Sequence, residues 1–539
     1  MAESEKGTLN TRKTPQWWEN AVIYQIYPQA FCNGDIAGII SKLDYLANLG
    51  VDAVWLCPLY PSPGRDNGYD ISDYDGIAPK FGTMDDFKRL VKEAHVRNIR
   101  VIIDLVLNHT SNQHPWFSEA CADANSPKRG YYIWRGGQKN GAKPPNNWGA
   151  LFGGSAWSKA GEQYYLGLFS PYQPDLNWAN SALRRELYAM ARRWLALGVD
   201  GFRLDVITLI AKPGDFPDGE TGENGYYDPR GRIAANPLLF EYLREFRQAL
   251  AGYDIVTVGE ASAADLELAD KLTDPSEPLL DMVFSFEHMD IDGGETFKWN
   301  DRAIALPALR RVMAKWQTGG AALGLFWNNH DQPRMLSRML RGEAAPGLKE
   351  RFAKTLACCL HLMRGVPFIY QGEEIGMENG RFGGVEELRD VEAINAFYEH
   401  TKSGRFTEAE MMRLINLKGR DTARTPVDWG FAEEQLQRDG SVFSFYRELI
   451  QLRHKYDVVV NGRYAPYDTG EGNIFAYTRE TDEEQLFVCC NFSEEEIALP
   501  IPNGFAVPLI SNNSGRYAQT GVLAGFECAA LYAAKPSVA

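Results

Sequence analysis

Eight short runs of β-branched and aromatic residues recur along the chain, each followed by a longer amphipathic or irregular stretch, and few folds accept that rhythm. The runs are AVIYQIYP (21–28), VDAVWLCP (51–58), RVIIDLVLNH (100–109), VDGFRLDV (199–206), DIVTVGE (254–260), DMVFSF (281–286), LGLFWNNHD (323–331) and VPFIYQG (366–372). Strands that alternate with helices build a parallel sheet, because each crossover helix returns the chain to the same edge. The spacers IAGIISKLDYLANLG (36–50), MDDFKRLVKEAHVRN (84–98) and ALRRELYAMARRWLALG (182–198) read as helices. In the last of them Leu183, Leu187, Met190, Ala191 and Leu195 make one apolar stripe. Eight such units in order predict an α/β fold, a (β/α)8 TIM barrel, which gathers functional side chains at the C-terminal ends of its strands.

The rhythm breaks once. About 70 residues rich in Gly, Pro, Asn and Trp (110–181) precede the fourth strand's unit, too many for a structureless loop, so an inserted subdomain over the barrel mouth is expected. After SVFSFYRELIQLRHKY (441–456) come the short alternating runs GNIFAYTRE, EQLFVCCNF, EIALPIP and GFECAALYAA, which predict a C-terminal antiparallel β-sandwich. The expected organisation is a barrel over 1–109 and 182–456, an insertion over 110–181 and the sandwich over 457–539. A chain of 539 residues supports several such units.

Acidic and histidine residues stand where strands end: Asp104 and His109 in the third run, Arg203 and Asp205 in the fourth, Glu260 in the fifth, His330 and Asp331 in the seventh. Acids are disfavoured inside strands. One alone would be a loop acid or a helix cap. Several at strand ends of the same polarity converge on one cavity, and convergent carboxylates without a cysteine or clustered histidine set point to glycoside hydrolysis, which needs a nucleophile or base and an acid.

The segments WWENAVIYQIYPQAF, DNGYDISDY, DLVLNHTS, QPDLNW, GFRLDVI, VTVGE, FWNNHDQPR, PFIYQGEEIGM and RDTARTP together resemble the oligo-1,6-glucosidase branch of the α-amylase family, from about residue 17 to 456 in the family's order. The resemblance implies a retaining, exo-acting α-glucosidase. It implies Asp205 as nucleophile, Glu260 as general acid/base and Asp331 as the third carboxylate, with Arg203 holding Asp205 ionised. By the same matching His109 and His330 bond the glucosyl unit, and Asp70 with Arg424 grips the far end of the terminal glucose. Gln173, Phe152 and Phe169 are candidate lining residues, the two rings equally suited to core packing, and Asp104 is expected to support the site. Val206, directly after the nucleophile, accompanies α-1,6 linkages in the resembling group, which favours isomaltose-type substrates.

Alternatives remain. Trehalose-6-phosphate hydrolase shares most of these motifs, and Lys212 and Lys298 are the candidate phosphate ligands; α-1,4-active or sucrose-active enzymes are a further option. The same fold also serves as a catalytically silent binding subunit, but such chains carry a membrane span and lack the carboxylates kept here. The branch's calcium-holding loop is compressed to FCNGDIAGI (31–39), leaving Asn33 and Asp35; calcium takes six to eight oxygens, so no metal and no other cofactor is expected. A net charge of −15 disfavours nucleic acid as a partner. The polar N-terminus, the lack of a bilayer-length apolar run and eight cysteines without zinc spacing give the expectation of a cytoplasmic protein with a small oligosaccharide or disaccharide substrate.

Overall fold

Parallel pairing carries the backbone through a closed ring of eight strands. The computed structural model describes residues 16–535 apart from 223, 294–297, 343 and 506; the polar stretch 1–15 lies outside the described residues. The ring strands are β1 (Ile23–Ile26), β2 (Ala53–Leu56) and β3 (Arg100–Val106), then, after three strands of the insertion, β7 (Gly201–Asp205), β8 (Val256–Glu260), β9 (Met282–Phe284), β10 (Leu323–Leu325) and β11 (Val366–Tyr370). Their order around the barrel is their order in sequence, with β11 closing onto β1. All eight expected strands are present, each shorter than its apolar run; β3, β10 and β11 begin where their runs begin and stop early. The trimmed C-terminal residues are those carrying the chemistry, such as Asn108, His109, His330 and Asp331. Rings fill the barrel interior: Trp55 stacks on Phe284 at 5.7 Å and Phe284 meets Phe368 edge-on at 4.6 Å.

The insertion holds a three-stranded antiparallel sheet, β4 (Trp134–Gly136), β5 (Trp157–Ala160) and β6 (Gln163–Leu166), in the order β4-β6-β5. Its apolar core is not its own. Ile133, Trp148, Trp157, Tyr164 and Leu166 pack with Val206, Leu209, Phe216 and Ile233, which belong to a long excursion after β7. A second excursion, between β11 and the helix Val442–Lys455, forms its own cluster around Leu388, Phe397, Met411 and Ile415 and leans over the mouth. The expected helix over 36–50 is divided in two, Ile36–Ser41 and Leu43–Leu49.

The C-terminal unit comprises β12 (Arg463–Pro466), β13 (Ile474–Glu480), β14 (Glu484–Asn491), β15 (Ile497–Ala498), β16 (Val507–Ser511), β17 (Val522–Leu523) and β18 (Cys528–Ala534). Five of these form an antiparallel sheet in the order β12-β13-β14-β18-β16, and β15 pairs with β17. Period-2 alternation divides the faces: Leu486, Val488 and Cys490 join the barrel core, while Phe487 and Cys489 join a separate outer core with Tyr517 and Leu523. Among the described residues no helix is long and apolar enough to cross a membrane.

Candidate active site

Strand register brings the first charges together. In the β3–β7 ladder Asp104 stands directly opposite Arg203, and Val106 opposite Asp205. Alternation sends Arg203 and Asp205 inward, and Glu260, at the end of β8, reaches the same layer from the next strand. The Arg203 guanidinium then holds three carboxylates. One nitrogen donates to Asp104 Oδ1 and Asp205 Oδ1, each at 2.7 Å, and the other to Glu260 Oε2 at 2.6 Å. Trp55 and Tyr69 complete Asp104, donating to its Oδ2 at 3.0 Å each.

The third carboxylate sits across the mouth. Asp331 follows β10, and its Oδ1 accepts from Arg424 at 2.7 Å and Arg420 at 3.3 Å. Its Oδ2 lies 3.1 Å from His330 Nε2. Gln25 Nε2 is 2.8 Å from His330 Nδ1; an amide nitrogen can only donate there, which places the imidazole proton on Nε2. Tyr69 and Tyr27 stack on that ring at 5.2 and 6.1 Å.

The expected pairing of Asp70 with Arg424 is not what the structure builds. Asp70 is fully buried beneath its own loop, where it accepts from Ser62 Oγ and from the backbone N–H groups of Arg65 and Asp66 at 2.8–3.1 Å. Arg424 is committed to Asp331 and to the His330 carbonyl. Asp66 instead pairs with Arg420 at 3.2 Å, and Arg420 also reaches Asp331. Asp66 Oδ2 also accepts from Gln173 Nε2 at 2.9 Å, and Gln173 reaches His109 Nε2 at 3.2 Å. Asp390, the N-cap of the helix Val391–Lys402, fixes Arg420 from behind at 2.6 Å. Phe152 lies under the Arg420 guanidinium at 4.8 Å, and Phe169 tilts over His109 at 5.0 Å. Both rings therefore pack against charged and imidazole groups of the site, and against each other at 5.7 Å. Asp66, Arg420 and Asp390 escaped sequence reasoning, although Asp66 begins the same DNGYD segment and Arg420 begins RDTARTP.

Two further expectations change. Lys212 is buried and ion-paired with Asp175 at 2.9 Å, and Lys298 pairs with Glu392 at 2.5 Å; neither points a spare charge at a ligand. The Val206 side chain packs into the insertion's core rather than lining open space. In the compressed loop 31–39, the Asp35 carboxylate caps the helix Ile36–Ser41 by accepting from Gly38 N–H.

Burial raises Asp205 well above the usual carboxylate range; Arg203 opposes this, while the negative charges of Glu260, Asp104 and Asp331 add to it. Burial likewise pushes Asp104 up to about 6 against the pull of Arg203. Asp331 goes the other way. Burial alone would raise it, but His330, Arg420 and Arg424 outweigh that and hold it far below its ordinary value. Burial depresses His330 and His109 to about 3, so near neutral pH both rings are uncharged and the two arginines supply the standing positive charge on Asp331. Asp205 is thus inclined to keep a proton in spite of Arg203, against the expectation that Arg203 would hold it ionised, while Asp331 is locked in its ionised form.

The model of the alpha amylase catalytic domain matches residues 25–462 of the chain. The oligo-1,6-glucosidase of Parageobacillus thermoglucosidasius is 46% identical over 523 residues, covering 90% of this chain and 92% of that protein. The trehalose-6-phosphate hydrolase of Bacillus subtilis (strain 168) is 42% identical over 534 residues, covering 92% of this chain and 93% of that protein. Among solved structures, trehalose-6-phosphate hydrolase of Bacillus licheniformis superposes with a TM-score of 0.88 at 38% identity, over 97% of this chain and 100% of that one.

Proposed function

Since the chain belongs to the α-amylase family of glycoside hydrolases, we propose that it is a retaining, exo-acting α-glucosidase that cleaves short α-1,6-linked glucosides, isomaltose and isomalto-oligosaccharides, from the non-reducing end. The observation that carries this reading is the shared hold of Arg203 on Asp205 and Glu260. Two carboxylates on the two arms of one guanidinium stand close together, as the retaining mechanism needs, where the pair is separated by about 5–5.5 Å.

Asp205 attacks the anomeric carbon while Glu260 gives its proton to the departing glycosidic oxygen, so the C–O bond to the aglycone breaks as the glucosyl–Asp205 ester forms. Water then attacks the anomeric carbon, Glu260 takes its proton, and Asp205 leaves as a carboxylate. Two inversions release α-glucose. Asp331, kept ionised by Arg420 and Arg424, accepts hydrogen bonds from ring hydroxyls and stabilises the positive charge that develops in the transition state. Asp66, Arg420 and Gln173 close the far end of the cavity and grip the terminal glucose, which makes the enzyme exo-acting.

The α-1,6 preference is supported by the relatives' names and by Val206. The phosphate-bearing alternative is supported by relatives of comparable similarity, while the paired states of Lys212 and Lys298 count against it. Asp35, spent on a helix cap, supports the reading that loop 31–39 takes no calcium. Eight cysteines, all unpaired, support a reducing, cytoplasmic location. A panel of isomaltose, maltose, sucrose, trehalose and trehalose 6-phosphate tests the reading. Isomaltose is expected to give the highest kcat/KM; a preference for maltose or for trehalose 6-phosphate would refute the linkage assignment.

A further inference from the structure

Gln25 lies in β1 with Trp55 of β2 and Tyr370 of β11 as its ladder neighbours, and only 1% of its surface is exposed. A buried amide has two hydrogens to place. Both are used, since Nε2 lies 2.8 Å from His330 Nδ1 and 3.3 Å from Cys57 Sγ. His330 is fully buried, and burial keeps its ring uncharged near neutral pH. Tyr69 and Tyr27 stack on it at interplanar angles of 11° and 17°. Stacking fixes the plane of the ring but not which nitrogen carries the single proton.

An amide turned over would present Oε1 to Nδ1 and draw the proton there. Nε2 would then turn a bare lone pair toward Asp331 Oδ2, 3.1 Å away. Asp331 is kept ionised by Arg420 and Arg424, so that arrangement sets a lone pair against a negative charge. With the amide nitrogen on Nδ1 the clash disappears, and Nε2 carries a hydrogen. Nε2 nevertheless has no hydrogen-bond partner among the described residues. A buried donor left unpaired is rare enough to need a reason.

We propose that Gln25 is a positioning residue: by donating to Nδ1 it holds the proton of His330 on Nε2, so that Nε2–H and Asp331 Oδ2 form a donor–acceptor pair matched to one sugar hydroxyl. A hydroxyl gives one hydrogen and receives others on its lone pairs, so a single group serves both atoms. Gln25 touches no substrate and acts only through the imidazole.

The sugar as partner rests on the glycosidase reading, whereas the tautomer does not, and the measurements separate them. Nitrogen NMR of protein labelled in its eight histidines, with His330→Gln identifying the His330 signals, reads the free wild type. An unprotonated Nδ1 and a protonated Nε2 are expected. A protonated Nδ1 would overturn the proposal whether or not the protein hydrolyses glucosides. Gln25→Met keeps the length of the side chain and loses the donor. It is expected to lower kcat/KM on p-nitrophenyl α-glucoside by about 10- to 100-fold, the usual worth of a group that orients an active-site ring. The double variant with His330→Gln should lose no more than His330→Gln alone, to within about threefold. Losses that multiply, or none in Gln25→Met, would overturn the positioning role. Among glucosides lacking one ring hydroxyl each, one should show a smaller penalty in Gln25→Met than in the wild type, and equal penalties throughout would overturn the hydroxyl match. Should Gln25→Met not fold, Gln25→Glu, which faces Nδ1 with an oxygen, carries the same cycle. A wild type with the expected tautomer but inert toward the glucoside would overturn the glycosidase reading, and the sugar hydroxyl with it.

Discussion

Arg203 donates to Asp205 from 2.7 Å while its other arm holds Glu260, so a single buried guanidinium ties the two carboxylates together and opposes the rise that burial imposes on Asp205. Arg203→Lys keeps the charge and loses the fork. It is expected to lower kcat/KM on p-nitrophenyl α-glucoside by about 10²- to 10³-fold. Because Arg203 is what opposes the rise of Asp205, the acid limb of the pH profile should also move to higher pH. An unmoved limb would show that Arg203 does not govern Asp205.

Asp104 gives a stability test with a definite sign. Its folded value is raised to about 6 from an ordinary value of about 3.9. A raised carboxyl contributes stability that is complete below the unfolded value and lost as pH climbs through the folded one. Asp104→Asn does not titrate. Wild type should therefore lose ground to Asp104→Asn between about pH 4 and pH 7, by roughly 2–3 kcal/mol on the linkage relation. Urea unfolding of both proteins at pH 4.5 and 7.5 measures this, and a difference independent of pH would refute it.

Asp66 and Asp70 should separate function from folding. Asp66→Ala removes the carboxylate that pairs with Arg420 and is expected to cut kcat/KM at least about 100-fold with a modest change in Tm. Asp70→Ala strands three donors under the loop 62–70, each worth about 1–3 kcal/mol when left unsatisfied, so it should depress Tm by several degrees. Parallel kinetics and thermal melts decide. The reverse pattern would restore Asp70 to the site.

Chelation tests the compressed loop. With Asp35 engaged as a cap, EDTA is expected to leave both Tm and kcat unchanged, and a fall in either that added calcium reverses would contradict this.

Much of the fold was legible because local residue types repeat what the barrel requires: β-branched runs for strands, apolar stripes for the helices between them. The inward acids were legible for the same reason, since Arg203 and Asp205 share a strand face by alternation alone. What escaped depends on the path of the backbone through space. Asp66 and Asp70 lie four apart in one segment, as do Arg420 and Arg424 in another, and residue type does not say which member turns toward the cavity. Nor could spacing reveal that residues 133–166 complete their core with Val206, Leu209, Phe216 and Ile233, contacts between segments far apart in sequence. The left-handed backbone of Val206 ran against expectation for a β-branched residue, and its packing in the insertion's core holds it there.

The central claim, that Asp205 and Glu260 act by double displacement, is tested most directly by proton NMR of the first glucose released from p-nitrophenyl α-glucoside. The account predicts the α-anomer signal first, with the β-anomer growing only at the rate of mutarotation. Initial release of β-glucose would contradict it.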